Sequence, residues 1–150
     1  VGGDGNDVLL GGDGNDVILG GAGDDAIQGG AGDDLITGGL GSDAMVGGAG
    51  ADIFIYESLG DGGDTIRLFD LGSDQISIQP LLQNSGIVVA DAADAMAQGI
   101  LMVDVGNPRR ASVLFDADGS AGVGDAVELV NVKVSNGSSA DLSSPTNFIV

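Results

Sequence analysis

The first third of the chain alternates short apolar runs with runs rich in glycine and aspartate, at a period of nine residues. From residue 2 to residue 55 it divides without gaps into six nonapeptides: GGDGNDVLL, GGDGNDVIL, GGAGDDAIQ, GGAGDDLIT, GGLGSDAMV and GGAGADIFI. Every unit has glycine at places one, two and four, aspartate at place six and a large apolar residue at place eight. The apolar run suits a short strand, and the glycine-rich hexamer suits a turn. The pattern therefore predicts half a coil per unit and two units per turn of a flattened parallel helix.

Two degenerate units are predicted to follow. Residues 59–67 (LGDGGDTIR) and 69–77 (FDLGSDQIS) keep most of the pattern, although the insertion Tyr56–Ser58 and the single residue Leu68 shift their phase. Units of equal parity should stack on the same side, so that their place-eight residues form two facing ladders. The predicted ladder residues of the first six units are Leu9, Ile18, Ile27, Ile36, Met45 and Phe54.

After residue 78 the glycine period stops, and the pattern changes to one helix and several strands. We predict a helix over Asp91–Gln98 and strands over Ile100–Val105, Ala111–Phe115 and Ala126–Val134. The last two strands would form a hairpin that covers the open edge of the roll. The predicted fold is thus all-β: a right-handed parallel β-roll over residues 1–78 and a β-rich C-terminal cap over residues 79–150.

The net charge of the chain, −19, indicates that the predicted β-roll binds cations. Of its 23 acids, 21 are aspartate, the residue of turns and of oxygen-rich cation sites rather than of helices. Four basic residues are too few for a phosphate-binding stripe, which argues against nucleic-acid binding. The absence of cysteine and histidine excludes the usual zinc sites, Cys or His nucleophiles and disulfides. No acid/base constellation is visible, so we predict a module that is not an enzyme.

Calcium is the predicted cofactor. Aspartates of units i and i+2 would lie one strand spacing apart, about 5 Å, where unscreened carboxylates repel each other. A divalent cation between them reverses the sign, and the turns add backbone carbonyl oxygens. The contiguous units give four such pairs, and the degenerate units would add two. No site exists until two coils stack, so calcium binding and folding should be one event.

The candidate calcium ligands fall into two groups. The carboxylates at place six are Asp7, Asp16, Asp25, Asp34, Asp43, Asp52, Asp64 and Asp74. The turn residues are Gly2, Asp4, Gly11, Asp13, Gly20, Gly21, Ala22, Gly23, Gly29, Gly30, Ala31, Gly32, Gly39, Gly41, Gly48 and Gly50. Asp116, Asp118 and Asp125 lie in a DADGS loop that either forms a plain turn or holds a weak further calcium ion. A flexible linker or a halophilic acidic surface would not keep aspartate and isoleucine in fixed phase.

The GGxGxDxUx units resemble those of the RTX (repeats-in-toxin) family, whose nonapeptides form calcium-binding β-rolls. The stretch GGDTIRLFDLGSDQISI is similar to the end of the roll in serralysin-type proteases, except that Leu68 and Ser77 replace two family acids. The resemblance implies export through a type I (ABC) secretion system, directed by an uncleaved C-terminal signal, and folding outside the cell. The tail Ser135–Val150 resembles such a signal, and the alternative is a frayed end with a last strand.

The leading functional prediction is a secreted, non-catalytic folding and secretion module of a larger exported protein. Residues 111–132 resemble the C-terminal regions of RTX adhesins, so an adhesin is favoured over a protease, lipase or toxin. An accessory carbohydrate-facing module, similar to the R modules of alginate epimerases, is the alternative. No transmembrane segment or N-terminal signal peptide is visible. The apolar outer face of the even units should be covered by the C-terminal half or by a second protomer; its residues are Val17, Leu19, Leu35, Thr37, Ile53 and Ile55.

Overall fold

Thirteen strands and two α-helices are found in the part of the chain that the computed structural model describes, residues 1–87, 90–98, 101–107, 110–115, 127–134 and 144–150. The strands of the repeat region are β1 (Gly3–Asp4), β2 (Val8–Asp13), β3 (Val17–Ala22), β4 (Ala26–Ala31), β5 (Leu35–Leu40), β6 (Ala44–Ala49), β7 (Ile53–Ile55), β8 (Asp64–Phe69) and β9 (Gln75–Ser77). The later elements are α1 (Gln79–Ser85), α2 (Ala92–Ala97), β10 (Leu101–Asn107), β11 (Arg110–Phe115), β12 (Val127–Val134) and β13 (Phe148–Ile149).

The repeat region forms the predicted parallel β-solenoid. One sheet has the strand order β1-β3-β5-β7-β9-β13, and the other has the order β10-β11-β12-β8-β6-β4-β2. Within the contiguous units, equivalent residues pair at a separation of 18, as in Val8 with Ala26 and Val17 with Leu35. Two nonapeptides therefore make one coil, and each sheet is built from units of one parity.

The register also confirms the two degenerate units as half-coils. Met45 pairs with Ile66 across β6 and β8, and Phe54 pairs with Ile76 across β7 and β9. The insertion Tyr56–Ser58 lies between β7 and the 3₁₀ turn, whereas the single residue Leu68 lies within β8, with φ +61° and a register shift against β12. The eight units still complete four coils. The signal that survives the degeneracy is the aspartate two places before the core isoleucine.

The core is the predicted pair of ladders. Place-eight side chains become fully buried along the roll, because each coil is sandwiched between two others. Leu9 in the first coil is only half-buried, since it has a neighbouring coil on one side. At the other end the aromatic rings of Phe54 and Phe69 lie with their centroids 6.0 Å apart and widen the core.

The C-terminal half continues both sheets. Strand β12 pairs in parallel with β8, β11 and β10 follow it in antiparallel order, and β13 pairs in parallel with β9. The predicted hairpin and the predicted helix over 91–98 are confirmed, and α2 is capped by the Asp91 side chain. Helix α1, which begins with Pro80 in its first turn, was missed by the sequence analysis. The DADGS loop lies outside the described residues.

The predicted cover of the even-unit outer face is only partly present among the described residues. Thr37 is buried, and Ile53 and Ile55 are half-buried. Leu35 and Val17, however, are 38% and 68% exposed. The cover of this face beside β5 is a single 3₁₀ turn, Leu59–Asp61, which follows the inserted residues, rather than the C-terminal half. Among the described residues the C-terminal half thus does not cover Val17 and Leu35, and the alternative of a second protomer stays a prediction.

Neither α1 nor α2 is long enough to cross a bilayer, and the described part of the chain offers no other helical candidate.

Candidate metal centre

Glycine is required at three places of each unit for two different reasons. Places two and four have positive φ angles in all six contiguous units, between 102° and 134°, a backbone region that only glycine enters at low cost. Place one has an ordinary backbone conformation. There the restriction is space: a Cβ atom on Gly2 would lie 2.6 Å from an Asp7 carboxylate oxygen. The repeat therefore keeps place one empty beside its own aspartate.

The place-six aspartates form two continuous hydrogen-bonded ladders. The backbone N–H of Asp7 donates to Oδ1 of Asp25 at 2.7 Å, and Asp25 donates in the same way to Asp43 at 2.8 Å. The other ladder runs from Asp16 to Asp34 at 2.8 Å and on to Asp52 at 3.0 Å. From the second coil onward each carboxylate is thus held by the preceding coil of its own side. The contact occupies one lone pair of Oδ1.

The second carboxylate oxygen, Oδ2, has no hydrogen-bond partner in seven of these aspartates, although it is buried. Within the described residues this holds for Asp7, Asp16, Asp25, Asp34, Asp43, Asp52 and Asp64. A buried, unpartnered anionic oxygen is one of the most costly groups in a protein. Seven such oxygens in two ladders need a cation to be stable, and no Lys or Arg side chain reaches them in the described structure.

A backbone carbonyl of the next coil approaches the same place in four units. A Cβ on Gly20 would meet both Oδ2 of Asp25 and the carbonyl oxygen of Gly38. Equivalent places lie at Gly2, Gly11 and Gly29, whose incoming carbonyls belong to Gly20, Gly29 and Gly47. These four places join units 1–3, 2–4, 3–5 and 4–6, the pairs expected from the sequence. At Gly38 and Gly47 the three atoms nearest to a Cβ all belong to the aspartate of the same unit.

The donor set fits a hard cation. In the described part of the chain no three acidic side chains converge as a metal cluster, so an ion here must draw on carbonyl oxygens as well as carboxylates. All of these donors are oxygens, with one carboxylate from each coil and an empty cradle formed by a glycine. Calcium takes six to eight oxygens with flexible geometry, and backbone carbonyls are among its usual ligands.

Burial and crowding raise the pKa values of the later aspartates. Burial is the main cause for Asp52, whose pKa is raised to about 6, and for Asp64, whose pKa is raised to about 7. Neighbouring carboxylates, Asp74 and Asp34 for the first and Asp43 for the second, add to the rise. The same causes raise the pKa of Asp43. The charged form that binds a cation is therefore disfavoured in the metal-free roll.

The two ladders end differently at the degenerate units. Asp64 continues the odd ladder by accepting from the Asp43 N–H at 2.8 Å, and its Oδ2 stays unpartnered near the buried Tyr56 hydroxyl, without good hydrogen-bond geometry between them. Asp74 accepts from Asp52 N–H at 3.2 Å, but its Oδ2 also accepts from Asp70 N–H at 2.8 Å. Asp74 thereby closes its own turn, which leaves it without a free buried oxygen.

Place five forms a third set of contacts that the sequence analysis missed. Oδ1 of Asn6 accepts from Asp24 N–H at 3.0 Å, and Oδ1 of Asp24 accepts from Ser42 N–H at 3.0 Å. Asn15, Asp33 and Ala51 repeat this on the even side. The signal was available, because place five is Asn, Asn, Asp, Asp and Ser in the first five units. These exposed contacts hold the turns in register on the outside of the aspartate ladders.

The residues at place three differ from those at places five and six. Asp4 and Asp13 are exposed, so their carboxylates lie outside the buried ladders. The backbone carbonyls of Ala22 and Ala31 accept from the N–H groups of Gly5 and Gly14, at 2.7 Å in both cases. A carbonyl oxygen has two lone pairs, which leaves one for a cation.

Replacement of a stacked place-two glycine should be far more damaging than replacement of an unstacked one. Gly30 and Gly12 both have positive φ angles, +124° and +110°. A Cβ on Gly30 would meet the carbonyl of Gly12, whereas a Cβ on Gly12 meets nothing within 4 Å. We expect Gly12→Ala to lower the free energy of unfolding by about 1–2 kcal/mol from backbone strain, and Gly30→Ala by about 2–5 kcal/mol. Urea unfolding in saturating calcium measures both, and equal losses would contradict the stacking geometry.

Comparison with known proteins gives a consistent result. The sequence model of one family, the RTX calcium-binding nonapeptide repeat (4 copies), matches residues 1–28 and 19–54. A search of curated proteins gave no match. Among solved structures, the chain is similar to the AlgE6R3 subunit of the Azotobacter vinelandii mannuronan C5-epimerase, with 30% identity and a TM-score of 0.66, covering 99% of this chain and 80% of that one. The AlgE6R2 subunit of the same enzyme is similar at 26% identity and a TM-score of 0.58, covering 93% and 90%.

Proposed function

Because this chain belongs to the RTX calcium-binding repeat family, we propose that it is a non-catalytic module that folds when it meets extracellular calcium and thereby supports secretion of a larger protein. The observation that carries the proposal is the set of seven buried aspartate oxygens without a partner. A chain with this many uncompensated carboxylates is stable only where a cation is abundant. Calcium would thus act as the signal that the chain has left the cell.

Four calcium ions are proposed, at the places where a carboxylate and an incoming carbonyl meet. Their carboxylates are Asp7, Asp16, Asp25 and Asp34, each together with the aspartate of the next coil on its side and the glycine and place-three carbonyls of both turns. When bound, the ion supplies positive charge to the stack and couples adjacent coils. A fifth ion at Asp43 and Asp64 fits the unpartnered oxygens there, whereas Asp74 offers no comparable oxygen.

The secretion role rests on the resemblance of the C-terminal tail to a type I signal and on this calcium requirement. A passenger fused to the whole chain should appear in the medium only when a type I transporter is present. The repeat module of the exported fusion should then resist protease in medium with calcium and be digested in medium with chelator. Export that needs no transporter, or protease resistance that ignores calcium, would contradict the proposal. The parent protein favoured by the 111–132 resemblance is an adhesin, ahead of a protease, lipase or toxin.

A second candidate function is an accessory module that contacts a carbohydrate. It is favoured by the two similar structures, which are subunits of an enzyme named for its action on mannuronan, an acidic polysaccharide. It is also favoured by the outer face of the odd units, where Val8, Leu10 and Ala26 are exposed and Asp13, at the end of β2, is the one exposed acid on β2, β4, β6 and β8. The two candidates are compatible, because a folded, secreted module can have a binding surface.

A further inference from the structure

Three of the four basic residues of the chain lie in one row across neighbouring strands. Lys133 of β12 is the register partner of Arg67 of β8, and Arg110 of β11 is the register partner of Lys133. These residues are separated by 43 and 23 positions in the sequence, so nothing local brings them together. Arg67 and Lys133 are both exposed. We call positions 67, 133 and 110 the basic row.

Two members of the basic row, Arg67 and Lys133, have no acidic counterpart in the described structure. Neither Arg67 nor Lys133 forms an ion pair there, although the chain has 23 acidic residues. Like charges on directly paired strand positions are destabilising. A protein with so many acids could have neutralised this row with one substitution on an adjacent strand. The uncompensated row is therefore suited to an anion that comes from outside the chain.

A shallow apolar groove of about 190 Å³ leads away from the row across the odd-unit sheet. Small side chains, Ala26 and Ala44, form its floor, and Arg67 lies at one end. At the opposite end Val8 and Leu10 are 77% and 72% exposed. Among the exposed positions of β2, β4, β6 and β8 the one carboxylate is Asp13, at the end of β2 beside the turn. The face thus combines apolar surface with a line of positive charge.

We propose that the groove and the basic row bind an acidic polysaccharide, and that calcium switches this binding on by assembling the row. Neighbouring strands place these three positions about 4.8 Å apart, so an extended polymer crossing the strands meets one position of the row per strand. A polymer with one carboxylate per sugar presents single charges along its length and apolar ring faces between them. The proposal rests on the carbohydrate-facing candidate and names its ligand class and residues.

Other polyanions fit this surface less well. Nucleic acid carries a much denser charge, which the acidic turns of the roll would repel, and the face has no aromatic platform for bases. An extended acidic peptide would add to a sheet edge rather than lie across a sheet face. The apolar end of the groove suits sugar rings, which present C–H groups to flat small-residue surfaces.

Calcium control follows from how the row is assembled. Arg67 lies three residues after Asp64, on the strand that stacks against β6 through the odd aspartate ladder. Lys133 and position 110 come into the same row as Arg67 only because β12 pairs with β8. If the roll is unfolded without calcium, strand β8 is absent and the basic residues are separated. Binding of the polysaccharide should therefore require calcium even though no calcium ion contacts it.

The test uses the whole chain with saturating calcium and a fluorescent oligogalacturonate hexamer, followed by anisotropy at low ionic strength. The double variant Arg67→Gln, Lys133→Gln should weaken the Kd about tenfold, the scale of two exposed charge contacts. The matched control Gln79→Glu, Gln83→Glu makes the same change in net charge at two exposed positions of α1 and should keep the affinity. A neutral maltohexaose should compete poorly. Circular dichroism in calcium confirms that both variants fold.

Several outcomes would overturn the inference. Unchanged binding by the double variant would mean that calcium bridges the ligand to the acidic turns. Equal weakening by the control would assign the effect to net charge alone. Tighter binding of an oligothymidylate than of the hexamer would indicate that the ligand is a nucleic acid. If the original chain is a dimer and the double variant a monomer, the occupant of the surface is a second copy of the chain. Failure of the calcium-folding proposal is separate, because it would appear in the circular dichroism before any ligand is added.

Discussion

In excess chelator at neutral pH, the chain should lose most of its β-sheet circular dichroism signal, and added calcium should restore it in one cooperative transition. The reason is the aspartate stack, in which Asp34 and Asp52 are completely buried and each has an oxygen without a partner. Folding without a cation would bury these charges unpaired, a cost of several kcal/mol per ion against a net stability of about 5–15 kcal/mol for a domain. A titration followed by circular dichroism measures the transition.

The pH dependence of the chelated chain gives an independent check. The pKa values of Asp52 and Asp64 rise to about 6 and about 7 on folding, from an ordinary value of 3.8, mainly through burial. Between pH 3.8 and these raised pKa values the folded state binds more protons than the unfolded state. The free energy of unfolding therefore falls as the pH rises through this window. The chelated chain should therefore regain β signal when the pH is lowered from about 8 to about 5.

Two controls separate specific calcium binding from general screening. Sodium chloride at matched ionic strength should restore little structure, because the stack is buried and salt screens buried pairs weakly. Magnesium should be much less effective than calcium, since it prefers a smaller, strictly octahedral site and keeps its waters. Full β signal in chelator, or equal rescue by sodium chloride, would contradict the assignment of the stack as a calcium site.

The roll was predictable from the sequence because a period of nine fixes both the strand and the turn. Aspartate at place six and an apolar residue at place eight are enough to set register, and the degenerate units show how little more is needed. Asp64 and Ile66 keep this spacing, and they pair with Asp43 and Met45 although the turn between is altered. Periodic information is local and repeated, so each copy confirms the others.

The features that were missed depend on contacts between segments distant in sequence. Nothing near Arg67 in the chain indicates that Lys133 will lie beside it, since that pairing arises from how the C-terminal half adds to the sheet. Asp74 differs from the other ladder aspartates for a related reason. It keeps its place in the repeat, but the turn from Asp70 to Asp74 brings the Asp70 N–H to its second oxygen. A degenerate turn can thus keep the ladder and remove the free oxygen.

Coverage of the outer faces shows the same limit. The apolar outward residues of the even units indicated a partner, yet the cover of β5 in the described structure is the turn after an insertion of three residues. Exposed apolar side chains remain on the first coil of both sheets, at Val8 and Val17. Outward hydrophobicity indicates a surface with a function but does not identify what covers it.

The substitution Asp34→Asn should have opposite effects with and without calcium. Asp34 has no exposed surface, its Oδ1 accepts from Asp16 N–H, and its Oδ2 has no partner. Asparagine keeps an oxygen for the first contact and removes the charge. In chelator, with an osmolyte to populate the folded state, the variant should be more stable than the original chain, because one buried unpaired charge is gone.

In calcium the same variant should be much less stable, since Asp34 belongs to the proposed sites of units 2–4 and 4–6. An ion present at a hundred times its Kd stabilises the folded state by about 2.7 kcal/mol, so loss of two sites costs about 5 kcal/mol. The matched control is Asp13→Asn, the same change of charge at the exposed end of β2, which should change the stability by no more than about 0.5 kcal/mol in either condition. Urea unfolding of the three proteins in both conditions gives the values. Destabilisation of Asp34→Asn in chelator as well would mean that its carboxylate acts through its hydrogen bond and not through a cation.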